Sequence, residues 1–156
     1  MSHPHVIGIY ITPTQGTPLS PVKSARAVPG KGLEGDRYFD GCGTFLKRPG
    51  VMDSQEATLI ESEALDALKR DYEVELTHAE SRRNIITRGI GLNLLIGCEF
   101  TIGTVRFKGV RLCEPCGHLE SLTKPGARKG LIHRGGLRAQ ILSEGMVNVG
   151  DPIIGS

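Results

Sequence analysis

The strongest chemical signal in this sequence is a closely spaced cysteine pair, CEPC at residues 113–116. A C-x-x-C pair can belong to a zinc site, act as a redox pair, or present one thiolate as a soft metal ligand or sulfur carrier. Zinc needs two more ligands, but the candidates Cys42, Cys98, His118 and His133 form no second pair with ligand spacing. A redox pair expects a βαβ context that is absent. We favour the third use for Cys116, which lies in a polar turn near Arg111. Two buried structural cysteines without chemistry remain the alternative.

A second signal is a set of basic residues that come from different segments, each near a turn or a strand end. These residues are Lys23, Arg37, Arg82, Arg83, Arg111 and Arg134. An arginine held just before a strand, as in RRN at residues 82–84, offers a planar fork that suits a phosphate group. A small anion is favoured over nucleic acid, because the seven aromatic residues are not interleaved with the basic ones.

The charge is unevenly distributed along the chain, although the net charge is only +2. Residues 53–80 are strongly acidic and residues 82–138 are strongly basic. Such segregation indicates either an anionic partner or two oppositely charged elements that pack together.

The segment GKGLEG at residues 30–35 matches the pattern G-x-G-x-x-G. This pattern binds a dinucleotide only between a strand and a helix, and the following residues show no helical period. We therefore exclude a dinucleotide site. We expect a positive φ at Gly35, which would turn Arg37 inward. Two roles stay open for Asp36: holding Arg37 in place, or a plain surface position.

The elements that must position these residues are mostly short strands. Apolar and β-branched runs predict strands at 5–12, at 21–28 and in several glycine-bounded segments after Asn84, with hairpin turns at 102–104, 144–145 and 150–151. Apolar residues at helical spacing predict one helix over 54–72, started by a capping box of Asp53 and Glu56. A short helix is expected at 117–123. The pattern predicts a mostly β fold with helical decoration (α+β), built as a closed β-barrel.

The length of 156 residues fits a single domain over 1–156. The 21 glycines and 9 prolines indicate many turns. No apolar run is long enough for a membrane span, and the N-terminus has no signal-peptide pattern. We therefore expect a cytoplasmic protein with reduced thiols, and neither a membrane nor a nucleic acid as a partner.

Seven short motifs, in this order, resemble the MOSC domain, which is the C-terminal domain of molybdenum cofactor sulfurases and also occurs as a stand-alone bacterial protein. The motifs are PVKS (21–24), GLEGDR (32–37), RRNI (82–85), G-x-x-L-x-x-L-I-G (89–97), IG-x-V (102–105), CEPC (113–116) and V-x-V-GD (147–151). The resemblance implies a β-barrel similar to the small barrel domain of pyruvate kinase. It also implies binding of the molybdenum cofactor, a pyranopterin with a dithiolene and a phosphate.

The resemblance also implies roles for individual residues. The second cysteine of the pair, Cys116, matches the molybdenum ligand of the amidoxime-reducing members. The remaining predicted cofactor-binding residues are Lys23, Ser24, Arg37, Arg83, Asn84, Arg111 and Cys113.

We expect from this resemblance a molybdenum-dependent reductase of small N-hydroxylated or oxo substrates, served by an electron-donor protein. The alternative is a non-catalytic carrier that uses a Cys116 persulfide, or the bound cofactor, and exchanges it with a sulfur-donor or acceptor protein. A zinc-stapled β-domain is the third possibility. The sequence has no pyridoxal-phosphate-dependent desulfurase domain, so no pyridoxal phosphate is expected in this chain.

Overall fold

The computed structural model describes residues 3–13, 17–36, 56–113, 131 and 134–155. Most of the regular structure in these residues is β. The strands are β1 (His5–Ile11), β2 (Ser20–Val22), β3 (Ser24–Val28), β4 (Gly32–Leu33), β5 (Ala57–Glu61), β6 (Ile85–Arg88), β7 (Glu99–Ile102), β8 (Val105–Leu112), β9 (Leu137–Ile141), β10 (Gly145–Asn148) and β11 (Ile153–Gly155). The α-helix α1 covers Ser62–Tyr72, and two 3-10 turns cover Ala79–Ser81 and Leu92–Leu95. The mostly β, α+β character expected from the sequence is confirmed.

The strands form two sheets. The large sheet has the order β11-β7-β8-β9-β5-β6-β1-β2, and the small sheet has the order β10-β3-β4. The pair β5–β6 is parallel and the other pairs are antiparallel. Parallel neighbouring strands need a crossover connection, and the segment between β5 and β6, which contains α1, provides it.

The large sheet is curled, but it is not the fully closed barrel expected from the sequence. No continuous ladder joins its edge strands β11 and β2. A short seam instead ties the chain before β11 to the start of β1. It consists of the bridge His5↔Pro152 and of hydrogen bonds from Val6 N to Asp151 O (3.0 Å) and from Gly150 N to Val6 O (2.8 Å). Because β1 uses the rest of the same edge to pair with β2, β11 cannot follow it further.

Apolar side chains form a cluster on each face of the curled sheet. The larger cluster lies inside the curl and includes Phe100 and Phe107, whose rings stack with centroids 5.6 Å apart. The smaller cluster packs α1 against Ile60 and Ile86 on the other face. Burial of these apolar surfaces is the main stabilising contribution to the fold.

The helix is shorter than the sequence predicted. Residues 57–61 form strand β5, which is buried between β6 and β9, and the helix begins only at Ser62. The spacing of apolar residues fitted a helix, but the consecutive buried run ATLI is what a central strand requires. Glu56 is therefore no helix cap, and Asp53 lies outside the described residues.

Two of the three predicted hairpins are wrong. The turn at Gly103, with φ of +59°, does join the antiparallel pair β7–β8. However, β10 pairs with β3 and β11 pairs with β7, so neither the 144–145 turn nor the 150–151 turn closes a hairpin. The predicted strand 21–28 is divided between the two sheets as β2 and β3. The expected helix at 117–123 lies outside the described residues. Among the described helices, none has the length and apolarity needed to span a membrane.

Candidate functional site

Three of the sequence motifs contain, or directly follow in the sequence, a residue of one apolar row that crosses the large sheet. Six residues of adjacent strands are in register in this row: Val22, Ile9, Ile85, Leu59, Leu137 and Leu112. The PVKS motif contains Val22, the RRNI motif contains Ile85, and the CEPC motif begins directly after Leu112. The sheet register therefore determines where each of these motifs leaves the core.

Arg83 makes the most informative contacts of the predicted site residues. Its side chain is only 7% exposed, although it is cationic. Its Nε donates to Gly135 O at 2.7 Å, and its Nη2 donates to Cys113 O at 3.1 Å. The structure thus brings two predicted site residues, Arg83 and Cys113, into direct contact.

The charge of Arg83 is not balanced by an acidic side chain in the described part of the chain. Both of its hydrogen-bond acceptors are backbone carbonyls, and Nη1 has no acceptor among these residues. A buried cation without a carboxylate partner costs free energy, so buried charges are normally paired. The arrangement therefore suits an anion that would bind to Nη1 of the guanidinium.

Asn84, the next residue, is fully buried and its side chain bonds to neighbouring strands. Its Oδ1 accepts from Thr58 N (3.2 Å) and from Thr58 Oγ1 (3.1 Å), and its Nδ2 donates to Tyr10 O (3.2 Å). Its backbone N–H is already used by Thr58 O, so the side-chain amide supplies the donor that β1 needs. These contacts give Asn84 a structural role in joining β1, β5 and β6, beside the cofactor-binding role that the sequence predicts.

A further arginine in this region was missed by the sequence analysis. Arg138 lies in β9 with only 6% of its surface exposed, and it is in register with Thr58 on one side and Arg111 on the other. Like charges directly opposite in an antiparallel pair repel each other. Both arginines also make further interactions. The signal that could have revealed Arg138 is a charged residue in the middle of the otherwise strand-like run LRAQI.

Cys113 is the described member of the cysteine pair. Its side chain is nearly completely buried and not disulfide-bonded, and its N–H donates to Gly136 O at 2.7 Å. Cys116, the predicted metal ligand, lies outside the described residues, as does Arg37. Within the described part of the chain, no group of three or more His, Cys, Asp or Glu residues is arranged to hold a metal ion.

The remaining predicted residues, Lys23 and Ser24, contact strand β10 and the residue that follows it. Lys23 O accepts from Val149 N at 2.9 Å, and Ser24 is in register with Asn148 of β10. Both side chains are exposed. The contacts that link Arg83 to Cys113 do not extend to these two residues.

The glycine-rich segment has the geometry expected from its sequence. Gly35 has a φ of +90°, as predicted, and the segment contributes the short strand β4 and no helix within the described residues. Asp36, for which a surface position was one alternative, is fully buried, and its Oδ1 accepts from Thr12 N at 3.1 Å. The buried Arg82 is connected to Asp36 through two threonines. Its Nη1 donates to Thr17 O, and the hydroxyl groups of Thr17 and Thr12 are in contact.

Glu61 is the half-buried carboxyl group at the end of β5. Burial raises the pKa of Glu61 above its usual value, and the nearby charge of Glu63 acts in the same direction. The hydrogen bond from Leu92 N (3.2 Å) and the charge of Arg134 oppose this rise in the pKa. Arg134, one of the basic residues singled out in the sequence, thus has a carboxylate in its surroundings, unlike Arg83.

A cavity of about 530 Å³ lies elsewhere on the large sheet. It is open and shallow, and it is lined by Gly97, Cys98, Glu99 and Lys108. None of the predicted site residues lines it, so the contacts of Arg83 are a better guide to the site than this cavity.

The sequence profile of the MOSC domain matches residues 47–154, which is more than half of the chain. The chain belongs to the MOSC domain family, a family linked to the molybdenum cofactor. No curated protein sequence matches the chain significantly.

Several solved structures share the fold. YuaD from Bacillus subtilis has a TM-score of 0.81 at 16% identity, and the match covers 97% of this chain and 94% of YuaD. YiiM from Geobacillus stearothermophilus has a TM-score of 0.72 at 15% identity, with 98% of this chain and 75% of YiiM covered. YiiM from Escherichia coli has a TM-score of 0.67 at 18% identity, with 97% and 69% covered. At these identities the similarity concerns the fold.

Proposed function

We propose that this chain binds the molybdenum cofactor through the anion-binding edge of Arg83 and acts as a cofactor-dependent reductase of small N-hydroxylated or oxo substrates. The observation that supports the proposal is the buried guanidinium of Arg83, which has two carbonyl acceptors and no carboxylate partner in the described residues. A phosphate group carries the charge and the acceptor oxygens that such a guanidinium lacks.

The residues present fit the chemical groups of this cofactor. Arg83 would bind the phosphate through Nη1, and Arg111 and Arg138, which lie opposite each other, add positive charge on β8 and β9. Cys116 would ligate the molybdenum, because molybdenum favours a soft thiolate. When bound, the cofactor supplies two-electron redox chemistry, and the protein provides orientation and electrostatics. Lys23, Ser24, Arg37, Asn84 and Cys113 complete the proposed binding set.

The proposal includes a cytoplasmic location, a substrate and a partner protein. A thiolate that ligates a metal must stay reduced, which favours the cytoplasm. A reductase of this kind needs a small-molecule substrate and an electron-donor protein. The alternative function, a carrier that transfers the cofactor or a Cys116 persulfide to a partner, needs an acceptor protein and no turnover.

Cofactor content of the purified protein tests the binding site. The chain is produced in a host that makes the molybdenum cofactor, and pterin fluorescence and molybdenum are measured per chain. Loss of a hydrogen bond to a charged group costs about 1.5–3 kcal/mol, so Arg83→Ala is expected to retain at least tenfold less pterin. The matched control is Arg106→Ala, because Arg106 is an exposed arginine of β8 paired with Glu99. Equal retention in both variants would contradict the proposed anion site.

Two further measurements separate metal ligation and turnover. Cys116→Ser is expected to lose molybdenum while Cys113→Ser loses it only in part, because only the second cysteine is proposed as the ligand. Equal loss in both would favour a paired metal site. Reduction of an N-hydroxylated substrate with a chemical electron donor then identifies a reductase, whereas bound cofactor without any turnover identifies a carrier.

A further inference from the structure

We propose that Arg83 is a positioning residue that fixes the neck from which the C-x-x-C segment extends, a role distinct from ligand binding. The neck consists of Cys113, at the end of β8, and of Gly135 and Gly136, which precede β9. Residues 114–134, including Cys116, connect these two sides in the sequence. Whatever holds the neck together therefore determines where this segment starts and ends.

Among the described residues, three hydrogen bonds join the two sides of the neck to each other or to Arg83, and two of them come from Arg83. Cys113 N donates to Gly136 O at 2.7 Å, which is the backbone bond between the two sides. Arg83 reaches both sides with one guanidinium, through Nε to Gly135 O and through Nη2 to Cys113 O. Without Arg83, one backbone hydrogen bond of the three would remain.

The residue type suits this role. A guanidinium presents several donors in a fixed plane, so it can bond two carbonyls of different strands at once, whereas a lysine ammonium lacks this fixed fork. Burying a cation is unfavourable, and an apolar side chain would fill the same space at lower cost. The two neck carbonyls provide a reason for an arginine at this buried position that holds without any ligand.

The backbone of Arg83 is itself held by the turn before it. Arg82 adopts the left-handed conformation with φ of +60°, and Arg83 N donates to the buried Ser81 Oγ at 3.4 Å. Ser81 Oγ in turn donates to His78 O at 2.6 Å. These contacts hold the backbone of Arg83, from which its guanidinium extends to the neck, as a positioning residue requires.

Arg83→Lys tests the proposal because it keeps the charge and loses the two-carbonyl fork. The readout is hydrogen exchange of the Cys113 amide in the protein without added ligand, followed by NMR. We expect this exchange to become at least about tenfold faster, because one charged hydrogen bond is worth about that factor in the opening equilibrium. The Phe107 amide, in the core of β8, serves as the internal reference for global unfolding.

The matched control is Arg82→Lys. Arg82 is adjacent and similarly buried, and its Nη1 donates to Thr17 O, which lies outside the neck. We expect Cys113 exchange in this variant to stay within about twofold of wild type. The proposal is overturned when Arg83→Lys leaves Cys113 exchange unchanged, when Arg82→Lys accelerates it equally, or when Phe107 accelerates together with Cys113.

A measurement on the wild-type protein keeps the proposal testable even when Arg83→Lys fails to fold. The Arg83 Nε proton should exchange far more slowly than that of Arg70, because its bond to Gly135 O is buried, whereas Arg70 Nε donates to Asp71 on the exposed surface. Equal exchange of the two Nε protons would contradict the proposal. Equal pterin retention in Arg83→Ala and Arg106→Ala would refute the proposed function alone, whereas unchanged Cys113 exchange in Arg83→Lys would refute the neck proposal alone, so the two proposals fail separately.

Discussion

Asn84 offers the sharpest test of how the large sheet is held together. Replacing it by alanine removes the acceptor of Thr58 N and the donor to Tyr10 O, two backbone groups inside the sheet. Each unsatisfied buried group costs about 1–3 kcal/mol, so losing both partners in Asn84→Ala is expected to lower the free energy of unfolding by about 2–6 kcal/mol. That is a large part of the 5–15 kcal/mol typical of a whole domain.

The assay is urea unfolding of the protein without cofactor, followed by circular dichroism. Asn148→Ala is the matched control, because Asn148 is an exposed asparagine of β10 whose side chain makes a long 3.4 Å contact with Asp151. We expect the control to lose less than about 0.5 kcal/mol, as is usual for surface substitutions. A loss below about 1 kcal/mol for Asn84→Ala would refute the reasoning and leave ligand binding as the main role of this residue.

Two further predictions follow from the backbone and from a buried carboxyl group. Gly136→Ala should destabilise the protein by several kcal/mol in urea unfolding, since its φ is +112° and an added Cβ would lie 2.0 Å from Leu59 O; Gly150→Ala, with a positive φ but open space around it, should cost only about 1 kcal/mol. Equal costs would contradict this steric argument. Because burial raises the pKa of Glu61, the folded state favours its protonated form, so the stability of the wild type relative to Glu61→Gln should fall as pH rises above the ordinary glutamate value. A pH-independent difference between these two proteins would show that the pKa of Glu61 is unshifted.

Strand positions could be predicted from the sequence wherever alternation and glycine boundaries were clear. The run TVRFKGVRL shows this best, since β8 follows it almost residue by residue. The segment 57–61 could not be assigned correctly, because its apolar spacing fits a helix as well as a strand. This segment forms a strand because it pairs with β6 and β9, whose residues lie far away in the chain. Pairing partners of β10 and β11 were missed for the same reason.

The candidate site was predictable to the extent that it depends on residue type. An arginine before a strand predicts an anion site, and Arg83 is buried without a carboxylate partner among the described residues, but the anion site itself stays a prediction. Its bonds to the carbonyls of Gly135 and Cys113 were not predictable. Every residue carries a backbone carbonyl, so the sequence does not show which carbonyls accept a hydrogen bond from a side chain. Asn84 shows the same limit, since its side chain replaces a backbone donor that only the sheet topology makes necessary.

The seam between β1 and the chain before β11 has a consequence for the order in which the protein folds during synthesis. It joins Val6 to Gly150 and Asp151, which lie more than 140 residues apart. The ribosome must therefore release nearly the entire domain before the first strand finds all of its partners. The small sheet can also form only after nearly the whole chain has been synthesised, because β3 pairs with β10. Such distant contacts predict slow folding, and a nascent chain halted before residue 145 would leave the edges of β1, β3 and β7 open to other strands.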